Sequence, residues 1–186
     1  MDEIYIRNVL NGDANAYRFI IKNYKDIAFS LAMSVVKDEF VSQEVLQIAF
    51  VNAFTKLSTF KGKSKFSTWL YRIVINEAFK AIKKQKSEII TFGGASVFTT
   101  PESDYFSLGI DADEQRFYIN EALKMLSPKE SLVLRLFYLE ENSIEEIAEI
   151  TGWTFSNIKV NLYRARINMK ELLMKYFNVD KQILYR

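Results

Sequence analysis

The chain has 186 residues, 49% of them hydrophobic and 26% charged, a balance typical of a soluble globular protein with one compact domain or two small ones. It contains no cysteine, which excludes a disulfide scaffold, a thiolate nucleophile and an iron–sulfur site. It contains no histidine, which excludes a Ser-His-Asp arrangement and most transition-metal sites. With only six glycines and no glycine-rich phosphate loop, the composition argues against an enzyme and predicts neither metal nor cofactor.

The N-terminus does not have the pattern of a targeting segment. Residues Met1–Ile4 are acidic and lack the basic-then-apolar order of a secretory signal. The richest apolar stretch, Ile27–Val36, is about ten residues long, well short of the roughly 20 needed to cross a bilayer. We therefore expect a cytoplasmic protein with no direct membrane insertion.

Three stretches of the N-terminal half repeat apolar residues every three or four positions, the spacing of amphipathic helices, at 16–35, 45–53 and 66–78. A short basic loop, Ser58–Lys65, lies between the last two and carries one aromatic residue, Phe60, that we expect to be exposed. Between about 89 and 112 the apolar repeat is lost and four of the eight glycine and proline residues occur. That change predicts a linker.

Cap residues define the helices of the C-terminal half. Ser127 with Glu130, and Ser143 with Glu146, each match a capping box. Gly152 allows the left-handed turn that separates two short helices, so the stretch from Ser143 onward is typical of a helix-turn-helix. The predicted fold is all-α, with two small helical domains at 1–87 and 113–176, an acidic flexible linker at 88–112 and a short tail at 177–186.

The net charge of +2 is an average over three unlike segments, which carry +5 (1–85), −4 (86–113) and +1 (114–186). Nine basic residues and one glutamate lie between 56 and 86, and five basic residues and one glutamate lie between 154 and 175. Separate positive patches are typical of nucleic-acid binding. Two solvated helix faces would carry the same charges, so charge alone leaves both interpretations open.

The second helix of the helix-turn-helix motif has one inward apolar stripe, formed by Ile158, Leu162, Ala165 and Met169. Its other faces hold polar and basic side chains suited to base edges and phosphates in a major groove. These outward positions are Ser156, Asn157, Lys159, Val160, Tyr163, Arg164, Arg166 and Ile167. A plain structural hairpin is the alternative, but caps, turn and charge together favour DNA binding.

Five carboxylates precede that helix: Glu140, Glu141, Glu145, Glu146 and Glu149. Those in the first turn complement the helix dipole. All of them repel phosphate, so contact with DNA is expected on the second helix. A metal site is the other interpretation, but in the absence of other ligands a solvated acidic face is favoured.

The stretch Phe66–Asn76 and the lysines after it form a second candidate site. On a helix, one face would carry Arg72, Asn76, Phe79 and Lys83, with Trp69 and Lys80 close by. Basic groups interleaved with aromatic rings suit a single strand of nucleic acid. The alternative is that the apolar side chains are core, which we favour for Leu70 and Ile73 and leave open for Trp69.

These motifs resemble regions two and four of the extracytoplasmic-function (ECF) sigma factors. Region two is matched by Phe66–Ile73 with Asn76 and by Ser42–Phe50, and region four by Glu121–Pro128 and Ile144–Arg166. The resemblance covers about 10–86 and 114–175. It implies a non-enzymatic specificity subunit of bacterial RNA polymerase. The implied partners are the polymerase core (the clamp helices of its largest catalytic subunit and the flap of the second subunit), promoter DNA, and an anti-sigma factor, soluble or membrane-anchored.

The resemblance also implies three sets of site residues. The set expected to dock on polymerase core is Ser42, Glu44, Val45, Gln47 and Phe50. The set expected to capture the melted −10 strand is Phe60, Lys61, Lys63, Lys65, Trp69, Arg72, Asn76, Phe79, Lys80 and Lys83. The set expected to read the −35 duplex is Thr154, Ser156, Asn157, Lys159, Val160, Tyr163, Arg164 and Arg166. The acidic linker is expected to thread through the polymerase cleft.

The chain departs from the family pattern in places. Glu44 stands where aspartate is common, and Ile48 follows Gln47 where glutamate is usual. The run Lys159–Asn161 replaces a basic–serine–arginine pattern, and because lysine lacks the bidentate fork of arginine we expect a different −35 preference. Two other classes stay open: a stand-alone helix-turn-helix regulator that binds an operator, and an RNA-binding adaptor. The aromatic and basic motif argues against the first.

Overall fold

A computed structural model describes residues 2–92 and 112–176, and all regular structure in these ranges is helical, as predicted. The helices are α1 (Asp2–Leu10), α2 (Ala14–Val36), α3 (Glu39–Thr55), α4 (Phe66–Phe92), α5 (Ala112–Met125), α6 (Pro128–Leu134), α7 (Ile144–Thr151) and α8 (Phe155–Tyr176). A 3₁₀ turn (Leu57–Thr59) precedes α4, and a π turn (Arg135–Leu139) follows α6. In the described ranges no helix combines the length and the apolar character that crossing a bilayer requires.

The linker predicted at 88–112 is shorter at its start than expected, because α4 continues to Phe92. The rest of that linker, residues 93–111, lies outside the described residues, as does the tail at 177–186.

The N-terminal half is a bundle in which α2, α3 and α4 pack against one another and α1 packs on α2. The predicted apolar repeats form its core: Leu31, Val35, Ala49, Leu70 and Val74 are fully buried. The turns before α2 and α3 are each fixed by a capping carboxylate. The Asp13 carboxylate accepts the Asn15 amide at 2.9 Å, and the Asp38 carboxylate accepts the Val41 amide at 2.8 Å.

The C-terminal half is built from four helices, of which α6 and α7 are short and begin with capping boxes. Both predicted capping boxes are present: Ser127 with Glu130 begins α6, and Ser143 with Glu146 begins α7. Helix α8 packs on α5, α6 and α7. The order of helices and caps therefore confirms the predicted helix-turn-helix.

The two halves are packed together, with α7 lying on α4 and α6 on α2. Their buried side chains form one continuous cluster that runs from Ile6 to Ala165. The Lys37 ammonium, at the left-handed end of α2, donates a hydrogen bond to the Leu123 carbonyl oxygen of α5. Burial, with the Arg135 guanidinium nearby, lowers the pKa of Lys37 to about 7.

We predict that stability rises with pH because of Lys37. The unfolded chain keeps this lysine protonated up to about pH 10.4, so between pH 7 and that value it binds more protons than the folded chain. The free energy of unfolding should rise by up to about 1.4 kcal/mol per pH unit from pH 7 to pH 9. Urea unfolding at both pH values measures the slope.

Lys37→Met should remove that slope, whereas Lys22→Met, at an exposed lysine of the same helix, should keep it. The range stops at pH 9 because burial raises the pKa of Tyr17, Tyr24 and Tyr71. Above about pH 10 the unfolded chain loses phenol protons that the folded chain keeps, so the free energy of unfolding falls as pH rises. If the Lys37→Met protein keeps the wild-type slope, a group other than Lys37 causes the dependence of stability on pH.

Candidate nucleic-acid interface

The turn between α7 and α8 fixes the angle at which α8 is presented. Gly152 has φ +72°, and its amide donates to the Ala148 carbonyl at 2.8 Å, which ends α7. The Trp153 amide donates to the Thr151 hydroxyl at 3.2 Å, and the Thr154 hydroxyl accepts the Asn157 amide at 3.3 Å. The predicted turn at Gly152 is thus confirmed, and Thr154 caps the start of α8.

Helix α8 has the predicted two faces. Ile158, Leu162 and Ala165 are buried, and Met169 is half-buried. The opposite side carries the whole predicted duplex-reading set at exposed positions: Thr154, Ser156, Asn157, Lys159, Val160, Tyr163, Arg164 and Arg166. An uncovered, polar and basic helix face of this kind fits a major groove.

Not all of these side chains are equally available for a base. The Arg166 Nε donates to the Tyr138 hydroxyl at 2.8 Å, and its guanidinium lies 5.6 Å from the centre of the Tyr138 ring. The Asn161 amide nitrogen donates to the Asn157 side-chain oxygen at 2.9 Å. Arg166, although exposed like Arg164, therefore points back onto the π turn.

Helix α4 carries a polar stripe along its exposed side. Arg72, Asn76, Lys80 and Lys83 are exposed and follow one another at intervals of four, four and three residues. The Lys80 ammonium lies 2.8 Å from the carboxylate of Glu77. We call these four residues the α4 stripe. Three of them are cationic and one, Asn76, carries an amide, so the stripe is a positive track along the helix.

The aromatic residues of the strand-capture set are less exposed than predicted. Phe60 is half-buried, with its ring centre 5.4 Å from Phe66 and 5.6 Å from Trp69, so the expectation of an exposed Phe60 is wrong. It is partly covered because Phe66, Trp69 and Tyr24 form an aromatic cluster beneath the loop. Trp69 is half-buried, so one part of the ring is core and another is accessible.

Leu70 and Ile73, the two apolar residues near Trp69 that we expected in the core, differ in burial. Leu70 is fully buried, as the core interpretation predicts, whereas Ile73 is only half-buried against that core.

The C-terminal half covers part of the strand-capture set. Phe79 is half-buried, and its ring centre lies 6.0 Å from that of Trp153 in the turn before α8. Lys65 forms an ion pair with Glu146 at 2.6 Å, and the hydrogen bond from Lys65 is the main reason that the pKa of Glu146 is lowered. Lys61 and Lys63 remain exposed.

The core-docking set divides by burial. Ser42, Val45 and Phe50 are buried and hold α3 against the bundle, so they cannot contact a partner directly in this structure. Glu44 and Gln47 are exposed. The surface of α3 also exposes apolar residues that our sequence reasoning missed: Phe40, Ile48, Val51 and Phe54.

Spacing could have identified that apolar face. Once Val45, Ala49 and Ala53 are assigned to the core at intervals of four, the large apolar residues between them must point elsewhere. We call Phe40, Ile48, Val51 and Phe54 the α3 apolar face.

The acidic group before α8 is not uniformly solvated. Glu145 and Glu149 are exposed, but Glu140 is half-buried, with a carboxylate oxygen 3.9 Å from Arg135. Burial raises the pKa of Glu140, and Arg135 opposes that shift. Across the ranges 2–92 and 112–176, no three acidic side chains gather as a metal site would need.

Comparison with known proteins gives two family matches. The model of sigma-70 region 2 matches residues 20–88, and the model of sigma-70 region 4 matches residues 116–169. The chain is 28% identical over 181 residues to the ECF RNA polymerase sigma factor SigW of Bacillus subtilis, covering 90% of this chain and 94% of the relative. It is 35% identical over 140 residues to the RNA polymerase sigma factor YlaC of the same organism, covering 72% of this chain and 78% of the relative.

Among solved structures, the chain resembles the sigma factor RpoE of Bartonella quintana, which was crystallised in complex with the anti-sigma factor NepR. That match has a TM-score of 0.69 at 23% identity and covers 89% of this chain and 98% of the other. The structure of CnrH in complex with the cytosolic domain of CnrY matches with a TM-score of 0.64 at 20% identity. That match covers 92% of this chain and 96% of the other. These two structures share the fold.

Proposed function

The chain belongs to the ECF subfamily of the sigma-70 RNA polymerase sigma factors, and from that premise we propose that it binds polymerase core through α3, captures the melted −10 strand along α4 and reads the −35 duplex with α8. The observation that carries the proposal is the pair of exposed polar helix faces, one in each sigma region. The first test is retention of purified core enzyme by the purified protein. A stand-alone operator-binding regulator would retain none.

The α3 apolar face supports the assignment of core docking. Its four large apolar side chains are 43% to 70% exposed, which is costly for a protein without a partner for them. Glu44 and Gln47 lie on the same helix and supply polar contacts at the rim. We infer that this face, with those two residues, docks on the clamp helices of the largest catalytic subunit.

The α4 stripe suits a single strand. Its three cations follow a phosphate backbone, and Asn76 between them has both a donor and an acceptor for a base edge. Lys61 and Lys63 extend the positive track onto the loop before α4. The half-buried Trp69 offers the accessible part of its ring at one end of the stripe, for a base to stack on.

The α8 face suits duplex DNA. Arg164 is exposed, so its planar fork is available for the two acceptors of a guanine edge. Lys159 supplies a point charge for phosphate. We infer that Arg164 reads a base and that Arg166, held by Tyr138, contributes less to sequence selection.

In the packed arrangement the C-terminal half contacts part of the strand-capture set, which favours binding of the −10 strand in a more open form. Phe79 contacts Trp153 and Lys65 is paired with Glu146. We infer that the two sigma regions separate when the protein docks on polymerase core. The flap of the second subunit and an anti-sigma factor are the further partners that we propose from the family assignment.

We predict that Val51→Asp weakens binding to polymerase core by at least about tenfold, because it places a charge in the α3 apolar face. Ile4→Asp on α1 is the matched control, since the two side chains are 63% and 62% exposed. Surface-immobilised core enzyme measures both affinities. Equal loss in the two variants would remove α3 from the docking surface.

We predict that Lys80→Ala slows open-complex formation by roughly two- to tenfold, the effect of losing one phosphate contact. Lys124→Ala is the control and should leave melting unchanged. Like Lys80, Lys124 is paired with a glutamate three residues earlier, with 2.5 Å between its ammonium and the Glu121 carboxylate. Permanganate reactivity of the −10 thymines measures melting, and gel shift of a −35 fragment with holoenzyme should be unchanged. Normal melting by Lys80→Ala would exclude this part of the stripe.

We predict that Arg164→Ala lowers affinity for −35 duplex by about 1–3 kcal/mol and relaxes selection at one base position. Arg166→Ala should lose less affinity and keep the selection, because its guanidinium is held against Tyr138. Binding of holoenzymes that contain each variant to a library of −35 sequences measures both affinity and base selection. The reverse ranking would exchange their roles.

A further inference from the structure

The π turn that follows α6 places two aromatic rings beside α8. In this turn the Glu140 amide donates to the Arg135 carbonyl at 3.0 Å, one residue further back along the chain than in an α-helix. The rings of Phe137 and Tyr138 have centres 5.0 Å apart, and their planes make an angle of 78°. A π turn changes the directions of its side chains from those of a regular helix and is frequent at functional sites.

Arg166 of α8 contacts both of these rings. Its guanidinium carbon lies 5.6 Å from the centre of the Tyr138 ring and 5.9 Å from that of Phe137. Its Nε donates to the Tyr138 hydroxyl at 2.8 Å. Two cation–π contacts and a hydrogen bond together restrict a side chain that otherwise has many rotamers. The π turn therefore holds Arg166 in one place.

The contact with Tyr138 leaves most of the guanidinium available. Arginine has five N–H donors, and the bond from Nε uses one of them, so four remain on the two terminal nitrogens. Arg166 is exposed, and no carboxylate within residues 2–92 and 112–176 forms an ion pair with it. Two terminal nitrogens side by side match the geometry of a phosphate group.

Arg166 lies on a different side of α8 from Arg164. An α-helix turns by 100° per residue, so two positions place these side chains about 160° apart around the axis. A helix in a major groove meets base edges on its outward face and phosphate backbones at its flanks. Lys159 and Lys170 are exposed on the same flank as Arg166, seven residues before it and four after it. That flank is therefore basic over about 16 Å.

We propose that Tyr138 is a positioning residue for duplex binding, which holds the Arg166 guanidinium in place for a backbone phosphate beside the −35 element. This role rests on the proposed function of α8 and adds to it a residue outside that helix. A guanidinium that is already ordered loses less conformational entropy when it binds, so it binds phosphate more tightly than a free arginine. Because phosphate is the same at every base pair, the contact sets the register of α8 and leaves its base preference unchanged.

Tyr138→Phe removes the hydroxyl and keeps the ring, at a position that is 53% exposed, so the fold should be preserved. In holoenzyme that contains this variant, affinity for −35 duplex should fall by roughly two- to fivefold, to the same extent for all base sequences. Tyr5→Phe, which removes a hydroxyl from α1, is the matched control and should have wild-type affinity. Unchanged or increased affinity in Tyr138→Phe would overturn the proposal.

A double-mutant cycle separates positioning from a purely structural role of Tyr138. Arg166→Ala should reduce the dependence of duplex affinity on salt by about one phosphate contact, because it removes one cation from the interface. In that background Tyr138→Phe should cause no further loss, since there is no guanidinium left to hold. An unchanged salt dependence in Arg166→Ala, or a further loss of similar size in the double variant, would overturn the proposal.

NMR of the free protein tests the contact without DNA. The Nε–H of Arg166 should exchange with water at least about tenfold faster in Tyr138→Phe than in the wild type, because its acceptor is lost. Equal exchange rates would overturn the proposal. Arg164→Ala in the holoenzyme tests the proposed function separately. Lower duplex affinity in Arg164→Ala with none lost in Tyr138→Phe would overturn the role of Tyr138 alone, whereas no loss in either would overturn the proposed function of α8 as well.

Discussion

Helix α4 is buried on two sides, and the arrangement of the rest of the chain depends on that burial. One side completes the bundle with α2 and α3, where Leu70 and Val74 are fully buried. A second side receives α7 from the C-terminal half. Between residues 72 and 83 the exposed positions of α4 are thereby limited to Arg72, Asn76, Lys80 and Lys83, which form a single line.

The contact between the halves contains polar groups that a tight core would not contain. Lys37 lies near Arg135, a like charge, and burial lowers the pKa of both. The buried Nε of Arg135 has no hydrogen-bond partner among the described residues. Such a group costs free energy when it is shielded from water. The contact is therefore weaker than its buried apolar area suggests, which is compatible with the proposed separation of the halves.

Local rules of sequence predicted the apolar repeats of α2, α3 and α4, both capping boxes, the Gly152 turn and the inward stripe of α8, because each depends on residues close together along one helix. They did not predict that Phe60 packs against Trp69, that Phe79 contacts Trp153, or that Glu140 pairs with Arg135. The first and second depend on contacts between elements, and the third depends on the π turn, which shifts the register after α6. For the same reason the motif Ser42–Phe50 was located correctly as a helix, but its buried and exposed members were not separated.

The ion pair between Lys65 and Glu146 has a consequence for how salt acts on the protein. The lysine side chain is 73% exposed, so the pair lies in solvent of high dielectric constant and is screened as ionic strength rises. Added salt therefore weakens this link between the loop before α4 and α7, whereas the apolar contacts between the halves are not screened. The halves should thus be held together less firmly at high ionic strength, with or without a nucleic acid present.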